Sequence, residues 1–330
     1  MGNLLSFKFL RSTKTTPIIA QYFGIWSDAD WDQRFRSDTP FDKLNRLYVA
    51  FGKIVKADGH FTIDFDGDPD HVTDIFARMQ QVNPSAEIFL AVGGNGDDDS
   101  FGGAALDPQF ATNVRDFLLQ YGFKGIDIDW EVGLTKSNLK NLLNNLSDVL
   151  HAVKLKITLD VWPYVVDAYD MDVITKTLDQ VNIMSYGTGL NLKDSVEQYK
   201  EAGLSKSLMI GGIVTARDYN QFGGTVDTLG PSGTIAQKSQ YALSENLAGM
   251  MEWRLDNDYI ERTNPGVAKA TSLRSATTLP SLRLFKGAPI SNTQRLVNVG
   301  TEQSEVRALA RTPGYPTYQG ALELWSQMTS

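Results

Sequence analysis

The chain contains no cysteine and only three histidines among its 330 residues. The lack of cysteine excludes disulfide bonds, thiol nucleophiles and zinc sites built on thiolates. The histidines, at positions 60, 71 and 151, do not have the spacing of metal ligands, and this scarcity also disfavours a Ser-His-Asp triad. Any acid–base chemistry therefore falls to carboxyl groups.

Basic charge and long apolar runs are also scarce. The formal net charge of -8 argues against a nucleic-acid partner, because phosphate binding depends on clustered Lys and Arg. No apolar stretch approaches the roughly 18 to 20 residues that span a bilayer. The opening MGNLLSFKFLRSTK indicates neither a signal peptide nor an anchor helix, although its first six residues fit the short myristoylation pattern. We expect no membrane span, and the compartment stays unknown.

Three acids occupy every second position of one apolar run, GIDIDWE at 125–131. In a β-strand successive side chains point to opposite faces, so Asp127, Asp129 and Glu131 would share one face; we call them the acidic ladder. Burial and mutual repulsion favour a proton on such a group near neutral pH, and a protonated carboxyl is a general acid. A solvated acidic strand is the weaker interpretation, because no Lys or Arg lies between the acids.

Eight short apolar runs alternate with stretches of helical spacing over about 250 residues, which predicts a (β/α)8 TIM barrel without a large insertion domain. We place the barrel at 17–278, after an N-terminal arm at 1–16 and before a short C-terminal extension at 279–330. The predicted strands are Pro17–Trp26, Arg46–Ile54, Glu87–Gly93, Gly122–Glu131, Leu155–Tyr164, Val181–Tyr186, Leu208–Val214 and Gly249–Trp253. The predicted helices are Pro108–Gln120, Ser137–Val153, Ser195–Ala202 and, in the extension, Ser304–Arg311.

Several segments resemble, in order, the motifs of glycoside hydrolase family 18, the chitinases and their relatives. YVAF at 48–51 resembles the family's YAF, and AVGG at 91–94 resembles its SxGG. The acidic run at 125–131 resembles DGxDxDxE, and MSY at 184–186 resembles MxY. Trp253 falls where the family places the aromatic floor of its sugar pocket. The resemblance covers most of the predicted barrel.

The resemblance implies a retaining endo-glycosidase that hydrolyses β-1,4-linked N-acetylglucosamine polymers, chitin first, with help from the substrate's own acetamido group. Glu131 would protonate the glycosidic oxygen, Asp129 would orient the acetamido group, and Asp127 would share the charge of the ladder. Tyr186 would hold the acetamido carbonyl. The expected substrate contacts are Trp253, Tyr22, Phe51, Gly93, Met184 and Trp162. No cofactor is implied.

Three departures from the family pattern keep other hypotheses open. Lys124, Ala91 and Gly187 stand where the family has Asp, Ser and Asp. A non-hydrolytic chitin-binding protein is therefore an alternative, although such relatives usually lose the acid that Glu131 supplies. An endo-β-N-acetylglucosaminidase acting on N-glycans, or a peptidoglycan-directed enzyme, would use the same acids. The arm and the extension could also dock the barrel to a larger assembly.

A metal site is not expected. Four aspartates between positions 64 and 70 resemble a calcium loop, but Ile75 stands in the place of the closing bidentate glutamate. The aspartates at 97–99 are interpreted as a solvated acidic rim.

Overall fold

Eight parallel strands close into a barrel in the computed structural model, which describes residues 16–26, 30–95, 100–188, 191–215, 226–228 and 232–258. The strands are β1 Ile18–Gly24, β2 Arg46–Ala57, β3 His60–Phe65, β4 Glu87–Gly93, β5 Gly125–Asp129, β6 Lys156–Val161, β7 Gln180–Ile183, β8 Met209–Val214 and β9 Gly249–Trp253. The helices are α1 Trp31–Arg34, α2 Pro69–Val82, α3 Ser100–Ala104, α4 Phe110–Tyr121, α5 Lys136–Leu150, α6 Met171–Thr177, α7 Leu192–Glu201 and α8 Thr234–Ser244. The predicted (β/α)8 barrel is confirmed.

Closure depends on β1, which pairs in parallel with β2 on one side and with β9 on the other. Strand β3 lies outside the barrel and pairs antiparallel with the far half of β2. It is an addition to the predicted set. Asp58 and Gly59, at φ 53° and 84°, make the tight turn between β2 and β3, and an Asp-Gly pair with positive φ is the turn that a hairpin favours.

Two apolar layers follow from the alternation of side chains along each strand. On β5, Ile126 and Ile128 are fully buried in the layer between the barrel and its helices. Asp127 and Asp129, on the other face, point into the barrel. A smaller apolar cluster fills the barrel interior around Tyr22 and Tyr48. The strand interior is therefore packed, and chemistry is confined to the carboxyl ends of the strands.

Residues 1–15, which are all but the last residue of the predicted arm, and everything after 258 lie outside the described residues. The division into arm, barrel and extension, the helix at Ser304–Arg311 and any docking role stay predictions. Among the described residues, no helix is both long enough and apolar enough to cross a bilayer.

Candidate active site

The acidic ladder rises from the barrel core to its open end. Strand β5 ends at Asp129, so Glu131 lies two residues past the strand, at the carboxyl mouth of the barrel. Asp127 is 0% exposed and Asp129 is 6% exposed, whereas Glu131 is partly exposed. The three acids thus sit at different depths, and only Glu131 combines partial burial with access from solvent.

Asp127 accepts hydrogen bonds from three other strands. The Tyr22 hydroxyl of β1 lies 2.7 Å from its Oδ2, and Asn182 Nδ2 of β7 lies 3.1 Å from its Oδ1. The Thr158 hydroxyl of β6 donates to the same Oδ1. Asp127 is therefore a fixed acceptor at the barrel centre, beneath the other two acids of the ladder.

Asp160 of β6 is a second buried aspartate in this region, and it is missing from the residues that the sequence predicted. Its carboxyl oxygens lie 2.8 and 3.0 Å from the Tyr22 hydroxyl, which also contacts Asp127. The signal was available, because in the run ITLDV the alternation places Thr158 and Asp160 on the face that points into the barrel. We call Asp127, Asp160, Tyr22, Thr158 and Asn182 the carboxylate network.

Burial raises the pKa of the carboxyl groups at this site. Loss of water raises the pKa of Glu131 above its usual range, and it is the first cause of a rise to about 6 for Asp127. The pKa of Asp160 is raised well above its ordinary value by burial and then by the charges of Asp127 and Asp129. Glu131 therefore stays protonated at a higher pH than an exposed glutamate does, as a general acid requires.

Tyr186, just after β7, is surrounded electrostatically by all of these acids. Burial, followed by the charges of Asp160, Asp129, Glu131 and Asp127, raises its pKa well above the ordinary value. Its hydroxyl lies 3.7 Å from Met251 Sδ of β9. The phenol is therefore neutral and can donate a hydrogen bond near the ladder.

Hydrogen bonds on both sides of Tyr186 hold its segment. The Ser185 hydroxyl donates to Gly212 O at 3.0 Å and accepts from Gly212 N at 3.2 Å. Gly187 N donates to the buried carboxylate of Asp227 at 2.9 Å. Lys238 of α8 donates to Asp227 Oδ1 at 2.7 Å, to Gly187 O at 3.0 Å and to Ser185 O. Gly187, a departure from the family pattern, is thus part of a well-tied turn.

Lys238→Met is expected to destabilise the protein by about 3 to 5 kcal/mol, because it leaves the buried Asp227 charge without its cation. Urea unfolding of the two proteins measures the difference. Lys200→Met is the matched control, since Lys200 forms an exposed ion pair with Glu197 at 2.9 Å and its loss should leave the midpoint unchanged. Equal small changes in both variants would contradict the expectation.

Three partly exposed rings form an aromatic wall at the mouth of the barrel: Trp26, Phe51 and Trp253. Trp26 and Phe51 are stacked at 5.9 Å, and Trp253 is stacked on both, at 6.3 Å from Trp26 and 5.5 Å from Phe51. The Arg254 guanidinium lies 4.6 Å from the Trp26 ring centre. Flat, rigid rings with accessible faces suit the apolar faces of sugar rings.

The other expected substrate contacts have different surroundings. Tyr22 is 1% exposed and its hydroxyl is committed to the carboxylate network, so it lies beneath the site. Met184 is buried in the barrel interior. Trp162 is partly exposed after β6, and its ring stacks at 6.4 Å on Tyr164, which is half exposed. Of these three side chains, Trp162 is the one that lies where a ligand can contact it.

Gly93 ends β4 against the backbone of the ladder. Its φ is 110°, and a Cβ there would lie 2.2 Å from Asp129 O. Gly94 N donates to the same oxygen at 2.9 Å. The glycine is needed for this close approach, since any larger residue would push β4 away from Asp129. Its position indicates a role in placing Asp129.

The structure locates the remaining sequence features. Lys124 is exposed and precedes β5, at the end of the barrel opposite Glu131. Ala91 pairs directly with Asp127 across β4 and β5. Asp68, one of the calcium-like aspartates, caps α2 by accepting from Asp70 N. Within the described ranges, no group of three His, Cys, Asp or Glu side chains is arranged to hold a metal ion. The aspartates at 97–99 lie outside these ranges.

Acid–base groups gathered at the carboxyl mouth of a (β/α)8 barrel are the arrangement of a barrel glycoside hydrolase. Residues 18–227 match the sequence profile of Glycosyl hydrolases family 18. The match covers more than half of the chain, and the chain belongs to this family.

Similar proteins include several chitinases. A class V chitinase of Arabidopsis thaliana is 23% identical over 168 residues, which cover 46% of this chain and 44% of the relative. Chitinase A1 of Niallia circulans is 28% identical over 133 residues, 33% of this chain and 19% of the relative. The chain thus spans less than half the length of these curated relatives.

Among solved structures, the class V chitinase of Nicotiana tobaccum is 18% identical with a TM-score of 0.60, covering 78% of this chain and 98% of that chain. The family 18 chitinase of Cycas revoluta in complex with (GlcNAc)3 is 18% identical with a TM-score of 0.58, covering 73% of this chain and 96% of that chain. These likenesses support the fold.

Proposed function

We propose that this protein is a retaining endo-glycosidase that cleaves β-1,4-linked N-acetylglucosamine polymers, chitin first, with Glu131 as its general acid and base. The observation that carries the proposal is the position of Glu131, a half-buried carboxyl with a raised pKa, directly above two buried aspartates. Membership in family 18 and the similarity to class V chitinases support the substrate class.

In this proposal, Glu131, Asp129 and Tyr186 act on different atoms of the substrate. Glu131 gives its proton to the glycosidic oxygen while the substrate's acetamido oxygen attacks the anomeric carbon, so no carboxylate of the protein becomes the nucleophile. Asp129, at 6% exposure, supplies a negative charge beside the cationic intermediate and orients the acetamido N–H. Tyr186 donates its hydroxyl to the acetamido oxygen. Water then opens the intermediate, with Glu131 accepting its proton.

The aromatic wall would hold a sugar ring against its flat face, and Trp162 with Tyr164 would extend the surface on the side of β6. Stacking on rigid rings binds pyranoses with little loss of side-chain freedom. Wall and ladder both lie at the carboxyl mouth, so in this proposal the sugar chain binds there, against the rings and within reach of Glu131.

The wild-type protein is expected to release the β-anomer first from chito-oligosaccharides, because two displacements at the anomeric carbon retain its configuration. Proton NMR of the freshly cleaved product measures the anomer. Chitin, peptidoglycan and an N-glycosylated protein assayed side by side then rank the substrates. Tight oligosaccharide binding without cleavage, from mildly acidic to mildly basic pH, would show the binding-only alternative to be correct.

A further inference from the structure

The carboxylate network contains a carboxyl group that the acidic ladder lacks, Asp160, and its hydrogen bonds have directions that can be assigned. An Arg side chain can only donate. Arg46 of β2 donates to the Tyr48 hydroxyl oxygen at 3.4 Å, and the Tyr48 hydroxyl donates to Asn182 Oδ1 at 3.5 Å. With its oxygen used as acceptor, the Asn182 amide donates its hydrogens to Asp127 Oδ1 at 3.1 Å and to the Tyr22 hydroxyl oxygen at 3.0 Å.

The contacts of the Tyr22 hydroxyl indicate how many protons Asp127 and Asp160 carry. Its hydroxyl has one hydrogen but contacts a carboxyl oxygen of Asp127 at 2.7 Å and one of Asp160 at 2.8 Å. Both contacts are hydrogen bonds only if one of the two carboxyl groups is protonated and donates to the Tyr22 oxygen. Two ionised carboxylates at these distances would leave one oxygen facing a lone pair.

The surroundings decide which aspartate carries the proton. Asp127 accepts from Thr158, Asn182 and Tyr22, and three donors stabilise a carboxylate anion. Asp160 is 5% exposed; its carboxyl oxygens contact the Tyr22 hydroxyl, and it also lies beside Asn182 and beside the charge of Asp127, which disfavours a second anion. With the proton on Asp160, Tyr22 donates to Asp127 and accepts from Asp160 and Asn182, so its hydroxyl is satisfied in every direction.

We propose that Asp160 is a positioning residue that stays protonated in the folded protein and, through Tyr22, holds Asp127 as the single buried anion beneath Asp129. The electrostatics agree in direction, since burial and then the charges of Asp127 and Asp129 raise the pKa of Asp160 well above its ordinary value. The groups that face this pair are Tyr22 from β1, Arg46 and Tyr48 from β2, Asp129 from β5, Tyr169 after β6 and Tyr186 after β7.

Proton linkage tests the proposal without any assay of activity. Asp160 keeps its proton in the folded chain and loses it, at an ordinary pKa near 4, in the unfolded chain, so its contribution to stability falls as pH rises until the folded-state pKa is reached. In Asp160→Asn this side chain titrates in neither state. Above about pH 7, where Asp127 is mainly ionised, the unfolding constant of the wild type relative to the variant should rise about tenfold per pH unit.

Urea unfolding of the wild type and Asp160→Asn at about pH 7 and about pH 8 measures this ratio. Asp148→Asn is the matched control, because it removes a carboxyl group that is exposed on α5 and is measured at the same two pH values. If the ratio of unfolding constants between the wild type and Asp160→Asn did not change with pH, the proposal would be overturned. That result would mean that Asp160 is ionised in the folded state.

Infrared spectroscopy offers a second test, which is independent of whether Asp160→Asn folds. In the wild type carrying carboxyl-¹³C aspartate, a band of a protonated aspartic acid should persist at about pH 7.5, above the pKa of Asp127. In Tyr22→Phe that band should move to higher frequency, because its proton loses its acceptor. Absence of the band, or a band that Tyr22→Phe leaves in place, would contradict the assignment.

The consequence for catalysis rests on the proposed function and has its own readout. If Asp160 is neutral, Asp160→Asn removes no charge and the alkaline limb of the kcat/KM profile keeps its position. If Asp160 were ionised, its removal would lower the pKa of the neighbouring acids and move that limb to lower pH. Failure of the wild type to cleave any glycan would count against the proposed function, while the unfolding and infrared results would still decide the protonation of Asp160.

Discussion

Glu131→Gln is expected to lower kcat on chito-oligosaccharides by about 10²- to 10⁴-fold, the contribution of a well-placed general acid, while oligosaccharide binding persists. Glutamine keeps the shape of the side chain but has no proton to transfer to the leaving oxygen. Kinetics on an oligosaccharide labelled at its reducing end measure kcat, and calorimetry measures oligosaccharide binding. Glu201→Gln, an exposed change on α7, is the matched control and should behave as the wild type does.

The pH dependence of wild-type activity tests whether Glu131 acts as the general acid. Glu131 must be protonated to act as the acid, so activity should be present below its folded-state pKa and lost above it. Because burial raises that pKa, the alkaline limb of kcat/KM should lie above the range of an ordinary glutamate, near 4.3. A limb at the ordinary value, or a Glu131→Gln variant that retains turnover, would assign the acid to another residue.

The sequence was sufficient for the ladder because the ladder depends on local periodicity. Side chains alternate along any strand, so the order of acids and apolar residues at 125–131 already separates a barrel face from a helix face. The order of the eight predicted strands along the chain placed that run on the fourth barrel strand. Both predictions agree with the structure, in which Ile126 and Ile128 pack outward and Asp127 and Asp129 point inward.

The carboxylate network could not be predicted in the same way, because it depends on which strands face each other across the barrel. Tyr22 and Asp160 are 138 residues apart in sequence, and their contact requires β1 and β6 to meet through the interior. The hydrogen bond from Lys238 to the turn after Tyr186 likewise joins α8 to the end of β7. Periodicity indicates that a side chain points inward but not what it meets there.

The hairpin strand β3 was missed for a different reason. Its sequence, HFTIDF, alternates weakly and is half exposed, so it lacks the continuous apolar character of a barrel strand. The Asp-Gly turn before it was the available signal. Strands outside the closed sheet bury less apolar surface, and their sequences therefore carry less of the pattern that identifies a strand.

Asp129→Asn is expected to lower kcat by about 10²- to 10³-fold, because a buried carboxylate that stabilises developing positive charge is replaced by a neutral amide of the same size. The KM should change less, since the amide can still hydrogen-bond the acetamido group in the ground state. Steady-state kinetics of the variant and the wild type on the same oligosaccharide measure both constants.

The leaving group distinguishes Asp129 from Glu131. An aryl glycoside with an acidic phenol needs no protonation to depart, so the defect of Glu131→Gln should shrink greatly on that substrate. The cationic intermediate forms whichever group leaves, so the defect of Asp129→Asn should be the same on aryl glycoside and oligosaccharide. If the two variants instead recovered in parallel, the ladder would act as one coupled acid, and the division of roles between its two upper carboxyl groups would be wrong.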